Sequence, residues 1–358
     1  MFSELPKLFD RDFAVGYFLP VACLFGALYG LLEVFHRAYL IGPLKETNIL
    51  VGTTLLSLIA WLVGVLLLAL NRPLYQLFEG YKWPLNTQLG KRRERMHFTR
   101  LLKQIDNAYL AAQQFRERNE AVPADLEQEQ GDLLMTRAER FPYRSRDVLG
   151  TKFGNTIRAF ETYPKAMYGF DTIEGWLRLL AVVPKDYRQM IDSAKAQTDF
   201  WLNLWFLGYV TSATYFALAI WSRHFTAFWV HGFIVVVIIF SKSAAITAAK
   251  EWGAIFKAAF DVFLPELYVK LCFPPPVVTE PSSEKSAEWQ VWEAFSRAII
   301  YRDPTCLPAR ILGEKGPKQS EEKGSEPTAE AGEDAKENKD DSDVAGAVGG
   351  NGDSVADE

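Results

Sequence analysis

Over 358 residues, 49% of them apolar, a mean hydropathy of −0.03 averages two populations, long apolar runs and a very polar remainder. The formal charge of −5 is a similar average: from Gly313 onward there are fourteen acidic and five basic side chains, net −9, which leaves +4 on residues 1–312. Three cysteines, Cys23, Cys272 and Cys306, exclude a paired disulfide framework and lack the spacing of a metal knot.

Residues 1–12 are short and mixed in charge. Phe13 to Leu32 then runs 20 residues without a charge, too long for a signal peptide and without its small-residue cleavage site. A lipoprotein reading of Pro20 to Cys23 fails because apolar sequence continues past the cysteine. The sequence therefore predicts a retained transmembrane helix over 13–35. Gly26 and Gly30 suit close helix contact, and Pro20 is placed to kink the span. Glu33 and His36 lie within helical reach of each other at its end, as an intramembrane candidate site or as hydrated end groups.

A second span is predicted over 49–70. Thr53, Ser57, Ala60 and Gly64 recur there as a small stripe, read as helix packing in preference to a pore lining. Arg72, Lys82, Lys91, Arg92, Arg93, Arg95 and Arg100 follow, whereas the short connectors offer only Arg37, Lys45 and Arg223. The positive-inside rule then places residues 71–199 and both termini on the cytoplasmic side of the cell membrane, N-in and C-in. The run Lys91, Arg92, Arg93, Arg95, just past a span, is read as a contact for anionic lipid, and no nucleic acid is expected.

Residues 71–199 read as a helical domain. Phe98, Leu101, Leu102, Ile105, Tyr109, Ala112 and Phe115 repeat at three and four, and Pro123 opens the next helix. Lys185 to Asp199 keeps its pattern in step with Trp201, so one helix is expected to run unbroken into the third span, 200–221. Those 22 uncharged residues reach about 33 Å, enough to cross a bilayer core, and in lipid only a helix satisfies its own backbone. The fourth span, 225–247, carries His231, a further intramembrane candidate, and Lys242, whose stem can snorkel outward. An amphipathic extension over 248–271, a Pro-rich linker over 272–285 and a short amphipathic helix over 286–302 with Trp289, Trp292, Phe295 and Ile299 follow. That last helix must dock on the central domain or on a neighbouring subunit. Residues 303–358 are expected to form a disordered acidic tail.

The chemistry-bearing stretch is Tyr143 to Leu180. Gly154-Asn155, Arg158-Ala159, Glu161, Tyr163-Pro164, Tyr168-Gly169 and Asp171 resemble a segment of uncharacterised bacterial four-span membrane proteins. Vaguer likeness extends to Asn71-Arg72-Pro73 and Glu79-Gly80-Tyr81. The resemblance implies a fold and a membrane location and brings no activity with it. From the residues themselves, Arg158 pairs with Glu161 at i,i+3, and Asp171 and Glu174 have the form of a capping box. Glu174 also precedes Arg178 at i,i+4. The same carboxylates could instead make a cation or acid/base site. No catalytic residue, metal site or cofactor is assigned.

The expected fold is an all-α integral membrane protein: two transmembrane helical hairpins flanking a cytosolic helical domain. The expected function is a self-associating membrane protein, a homo-oligomer in the lipid bilayer, whose cytosolic domain binds a ligand or protein partner and couples it to the spans. An oligomeric ion-conducting pore, with Thr211, Ser212 and Tyr215 facing a lumen, and a membrane-bound enzyme using the carboxylates are the alternatives.

Overall fold

Every regular element among the described residues is helical; the computed structural model describes residues 10–35, 37, 49–223, 228–273 and 286–307. In chain order the helices are α1 (Arg11–Val34), α2 (Ile49–Ala69), α3 (Asn71–Phe78), α4 (Gln88–Glu117), α5 (Ala124–Arg140), α6 (Lys152–Glu161), α7 (Tyr163–Tyr168), α8 (Thr172–Leu179), α9 (Lys185–Ser222), α10 (Phe228–Lys270) and α11 (Ala287–Tyr301). Four of them, α1, α2, α9 and α10, are long and apolar enough to cross a membrane.

The expected continuity is present: α9 is a single helix of 38 residues and α10 one of 43. At 1.5 Å per residue these reach about 57 and 65 Å, roughly twice a bilayer core, so half of each extends beyond its apolar segment. They pack along each other in opposite directions. His231 stacks on Tyr215 at 5.0 Å, Phe240 meets Trp201 at 5.5 Å, and the Tyr187 hydroxyl donates to the Ile255 carbonyl at 2.9 Å. Gly208 makes room for Ile238 at this seam, where a Cβ would meet the isoleucine at 2.7 Å.

Irregularity at Pro20 takes the form of a π-helical turn over Ala14–Phe18. Proline has no N–H to offer the carbonyl four residues back, and that carbonyl, on Gly16, accepts instead from Asn203 Nδ2 of α9 at 2.8 Å. A Cβ on Gly16 would meet Ala196 and Asp199 of α9 at 3.4 Å, an ordinary contact distance. Against α2, α1 makes only a partial seam. Ala60 and Gly64 are covered, the latter by Phe13 and Phe18, but Thr53 and Ser57 are exposed, so only half of the expected stripe packs within the chain. Gly26 and Gly30 also differ from expectation: a Cβ at either meets nothing within 4 Å, so no helix among the described residues packs directly on them.

The more polar halves of α9 and α10, with the adjoining turns of their apolar halves, form the wall on which the other helices pack. From α6, Phe153 meets Tyr75 and Trp205 at 5.8 and 6.4 Å, and Phe160 meets Trp252 and Phe256 at 5.0 and 5.4 Å. Gly253 is needed here, because a Cβ would enter the Phe160 ring. Helices α4 and α5 join through Phe98 on Phe141 at 5.4 Å, and Glu139 pairs with Lys250 of α10 at 2.8 Å. The buried stripe of α4 runs through Glu94, Phe98, Leu101, Ala108 and Ala112; Tyr109, expected on that face, is exposed. The short helix α11 docks on its own chain, Trp292 lying 4.7 Å from Phe170 and 5.5 Å from Tyr268. Residues 303–307, expected in the tail, form a turn capped by Asp303; the rest of the expected tail, the linker 274–285 and His36 lie outside the described residues.

Candidate functional site

Two polar constellations stand out among the described residues. The first is a cleft of about 560 Å³ between the loop at 143–147, helices α6, α7 and α8, and the start of α11. Arg158, Glu161 and Asp171, three of the residues singled out in the sequence, line it together with Arg144, Arg146 and Lys165. Arg158 pairs with Glu161 at 3.3 Å, and Lys165 pairs with Asp171 at 3.1 Å. Asp171 caps α8 by accepting from the Ile173 amide at 3.2 Å.

The capping box is only half formed. Glu174 is exposed, and the Asp171 amide that it would have taken donates instead to Ser296 Oγ of α11 at 2.8 Å. The i,i+4 ion pair is not made either: the Arg178 guanidinium donates to the Glu174 carbonyl oxygen. Both residues lie away from the cleft, because α8 turns Thr172, Gly175 and Leu179 inward.

Behind Arg158 and Glu161 sit Glu79 and Tyr81, from the turn after α3. Burial pushes the Glu79 carboxyl up from its ordinary 4.5 to about 7; the Glu161 charge adds to this and Arg158 opposes it. Burial also raises Glu161, again against Arg158, and raises the Tyr81 hydroxyl. Near neutral pH the cleft therefore backs onto a carboxyl poised to gain or lose a proton, beside a paired arginine. That set can hold a polar ligand with acidic and hydrogen-bonding groups. Among the described residues no group of three or more His, Cys, Asp or Glu is placed to hold a metal ion.

Several residues of the resemblance have structural work in this wall. A Cβ on Gly154 would run into the Glu79 carbonyl, and Thr151 Oγ1 donates to the Phe78 and Glu79 carbonyls at 2.8 and 3.0 Å. Asn155, fully buried, accepts from the Leu149 amide at 2.7 Å and donates to its carbonyl at 3.2 Å and to Glu94 Oε2 at 3.3 Å. Tyr163 and Tyr168 both donate to Asp261 Oδ1 of α10, at 2.8 and 2.7 Å, which raises both hydroxyls after the larger effect of burial. The 79–81 turn is thus the packing partner of the 151–155 segment.

No protein family, curated protein or solved structure matches the chain. The site stands on its geometry.

The second constellation lies where α9 passes from polar to apolar sequence. Asp199, 3% exposed, accepts from Tyr17 and Tyr75 hydroxyls at 2.8 Å each and from Lys195 Nζ at 2.7 Å. Asn71 Nδ2 donates to the Tyr17 hydroxyl. One carboxylate so ties the π turn of α1, the start of α3 and α9 together. Sequence reasoning meets Asn71 only in the vaguer likeness and Asp199 only as a helix residue, and gives none of this set a role. Two signals were present: Asp199 is the last charge before the 22-residue uncharged run, and Tyr17 breaks the apolar pattern of the first span.

The intramembrane candidates fare differently. His231 lies between Tyr215 and Phe216, rings at 5.0 and 4.7 Å, and its Nδ1 and the Tyr215 hydroxyl are buried with no hydrogen-bond partner among the described residues. Glu33 is exposed at the end of α1. Of the pore candidates, Thr211 returns its hydroxyl to the Leu207 carbonyl at 2.9 Å and Tyr215 packs against Phe35 at 5.5 Å. Both face a helix seam.

Proposed function

We propose that the chain is a multi-pass inner-membrane protein whose extramembrane helical domain receives a polar ligand in the Arg158–Glu161 cleft and passes the event to its spans. Two antiparallel helix pairs cross the bilayer with both termini in the cytoplasm, and copies self-associate through the uncovered glycine face of α1. What supports the coupling is the mounting of the cleft. Helix α7 is held to α10 through Asp261, and α10 continues without a break from there to His231 in the apolar segment. A ligand that moves α7 therefore loads a helix that reaches the membrane, and the Asp199 lock transmits load between α9, α1 and α3.

Thermal melting of the full-length protein in phosphatidylcholine nanodiscs, against a panel of carboxylate, phosphate and amino-acid ligands, tests the reading. A ligand should raise Tm by several degrees, lose that effect in Arg158→Gln, and change the alkylation rate of Cys23 on α1 about twofold or more. A panel without a single Arg158-dependent shift overturns the binding site. A shift that leaves the Cys23 rate unchanged overturns the coupling. Reporter fusions test the orientation: those at Lys45 and Arg223 should read outside and one at Gln130 inside.

A further inference from the structure

The run Lys91-Arg92-Arg93-Glu94-Arg95 looks mixed in sequence, and the fold separates its signs. Glu94, 4% exposed, turns inward to Asn155. On the outside, Lys91, Arg92, Arg95, Arg100 and Lys103 line one shallow groove along α4 in which no acidic residue takes part among the described residues. Such a face costs self-repulsion unless an anion covers it.

Its position names the anion. Helix α3 starts two residues after the apolar α2 ends, and its last residue, Phe78, lies 4.1 Å from Trp205 in the uncharged run of α9. The turn that follows, leading directly into α4, therefore leaves the fold at the height where the apolar segments end. It presents Trp83, 86% exposed, and α4 then presents Leu89, 78% exposed. An outward tryptophan at that height is an interfacial anchor, and cations that follow it closely in the chain are placed to meet phosphate headgroups. We infer that the face formed by Lys91, Arg92, Arg95, Arg100 and Lys103, preceded in the chain by the exposed Trp83, docks on an anionic phospholipid surface. The bilayer then holds α4 down, and the base of the helical domain is tied to the membrane at a point separate from the spans. Each basic side chain near an anionic surface adds a similar increment, so five make a composition-sensitive clamp.

The test uses the full-length chain with Cys23, Cys272 and Cys306 replaced by Ser and a single fluorophore on Thr99→Cys. It is placed in nanodiscs of phosphatidylcholine, or of phosphatidylcholine with about a third phosphatidylglycerol. Quenching by neutral acrylamide should fall about threefold or more in the anionic discs. It should recover at about 1 M salt, where the screening length shrinks to about 3 Å. Replacing the five cations by Gln should abolish the difference between the discs, with the melting temperature as the check that the fold is kept. Equal quenching in both discs overturns the inference, as does protection that persists in the five-fold variant. Protection that is independent of lipid and lost on truncation at Gly313 would assign the face to the acidic segment of this same chain. Protection that appears only on adding RNA would assign it to nucleic acid. Either result overturns the membrane docking.

Discussion

Asp199→Ala probes the joint between domain and spans most directly. The carboxylate takes three donors, two tyrosine hydroxyls at 2.8 Å and an ammonium at 2.7 Å, within a site that leaves it 3% exposed. A buried hydrogen bond to a charged group contributes about 1.5–3 kcal/mol, and truncation leaves both tyrosine hydroxyls short of an acceptor. Lys195 is 38% exposed and can turn to water, so its share is at most about 1 kcal/mol. Because the three bonds share one acceptor they do not add in full, and the expected loss is about 4 kcal/mol. For a chain of this size a shift of about 2 °C per kcal/mol applies, which lowers Tm by about 8 °C. Tryptophan fluorescence melting in nanodiscs reads this directly. Tyr75→Phe alone should cost about 1.5–3 kcal/mol. In the Asp199→Ala background it should cost almost nothing, since its partner is already gone. A Tm within about 2 °C of wild type, or full additivity in that cycle, would refute the network as the joint.

Four further outcomes are expected. Glu79 titrates near 7 when folded and near its ordinary 4.5 when unfolded, so the folded state holds its proton more tightly; stability should fall as pH rises from about 4.5 to 7, by at most about 3 kcal/mol, and level off above. Glu79→Gln should flatten that slope in melts across this range, and an unchanged profile sinks the assignment. Gly154→Ala forces α6 off the Glu79 carbonyl and should cost about 1–3 kcal/mol, whereas Gly26→Leu with Gly30→Leu should leave Tm unchanged and reduce self-association measured by light scattering. Asp171→Asn should be mild and Asp171→Ala should cost about 1 kcal/mol, with no divalent-ion dependence of Tm; a metal-induced rise lost in Asp171→Asn would replace the cap by a cation site.

Sequence alone was enough for whatever depends on consecutive residues. The uncharged runs require helices, because a backbone in lipid can satisfy itself in no other local way, and the phase of Lys185 to Trp201 carried α9 across the boundary. The Arg158–Glu161 pair and the Asp171 cap were legible for the same reason, each lying within one helical turn. Three-dimensional neighbours decided the rest. Whether Glu174 closes a capping box depended on Ser296, more than a hundred residues away, which takes the amide first. Tyr109 or Ala108 could equally have faced inward by periodicity, and only the packed helix shows which does. Asp199 was invisible as a lock because Tyr17, Asn71 and Tyr75 lie far from it in the chain. Glu94 reads as one charge in a basic run until Asn155 draws it inside and leaves a face of a single sign. Hydrogen bonding to a distant partner removes a group from the pattern to which its neighbours belong, and no local spacing records that.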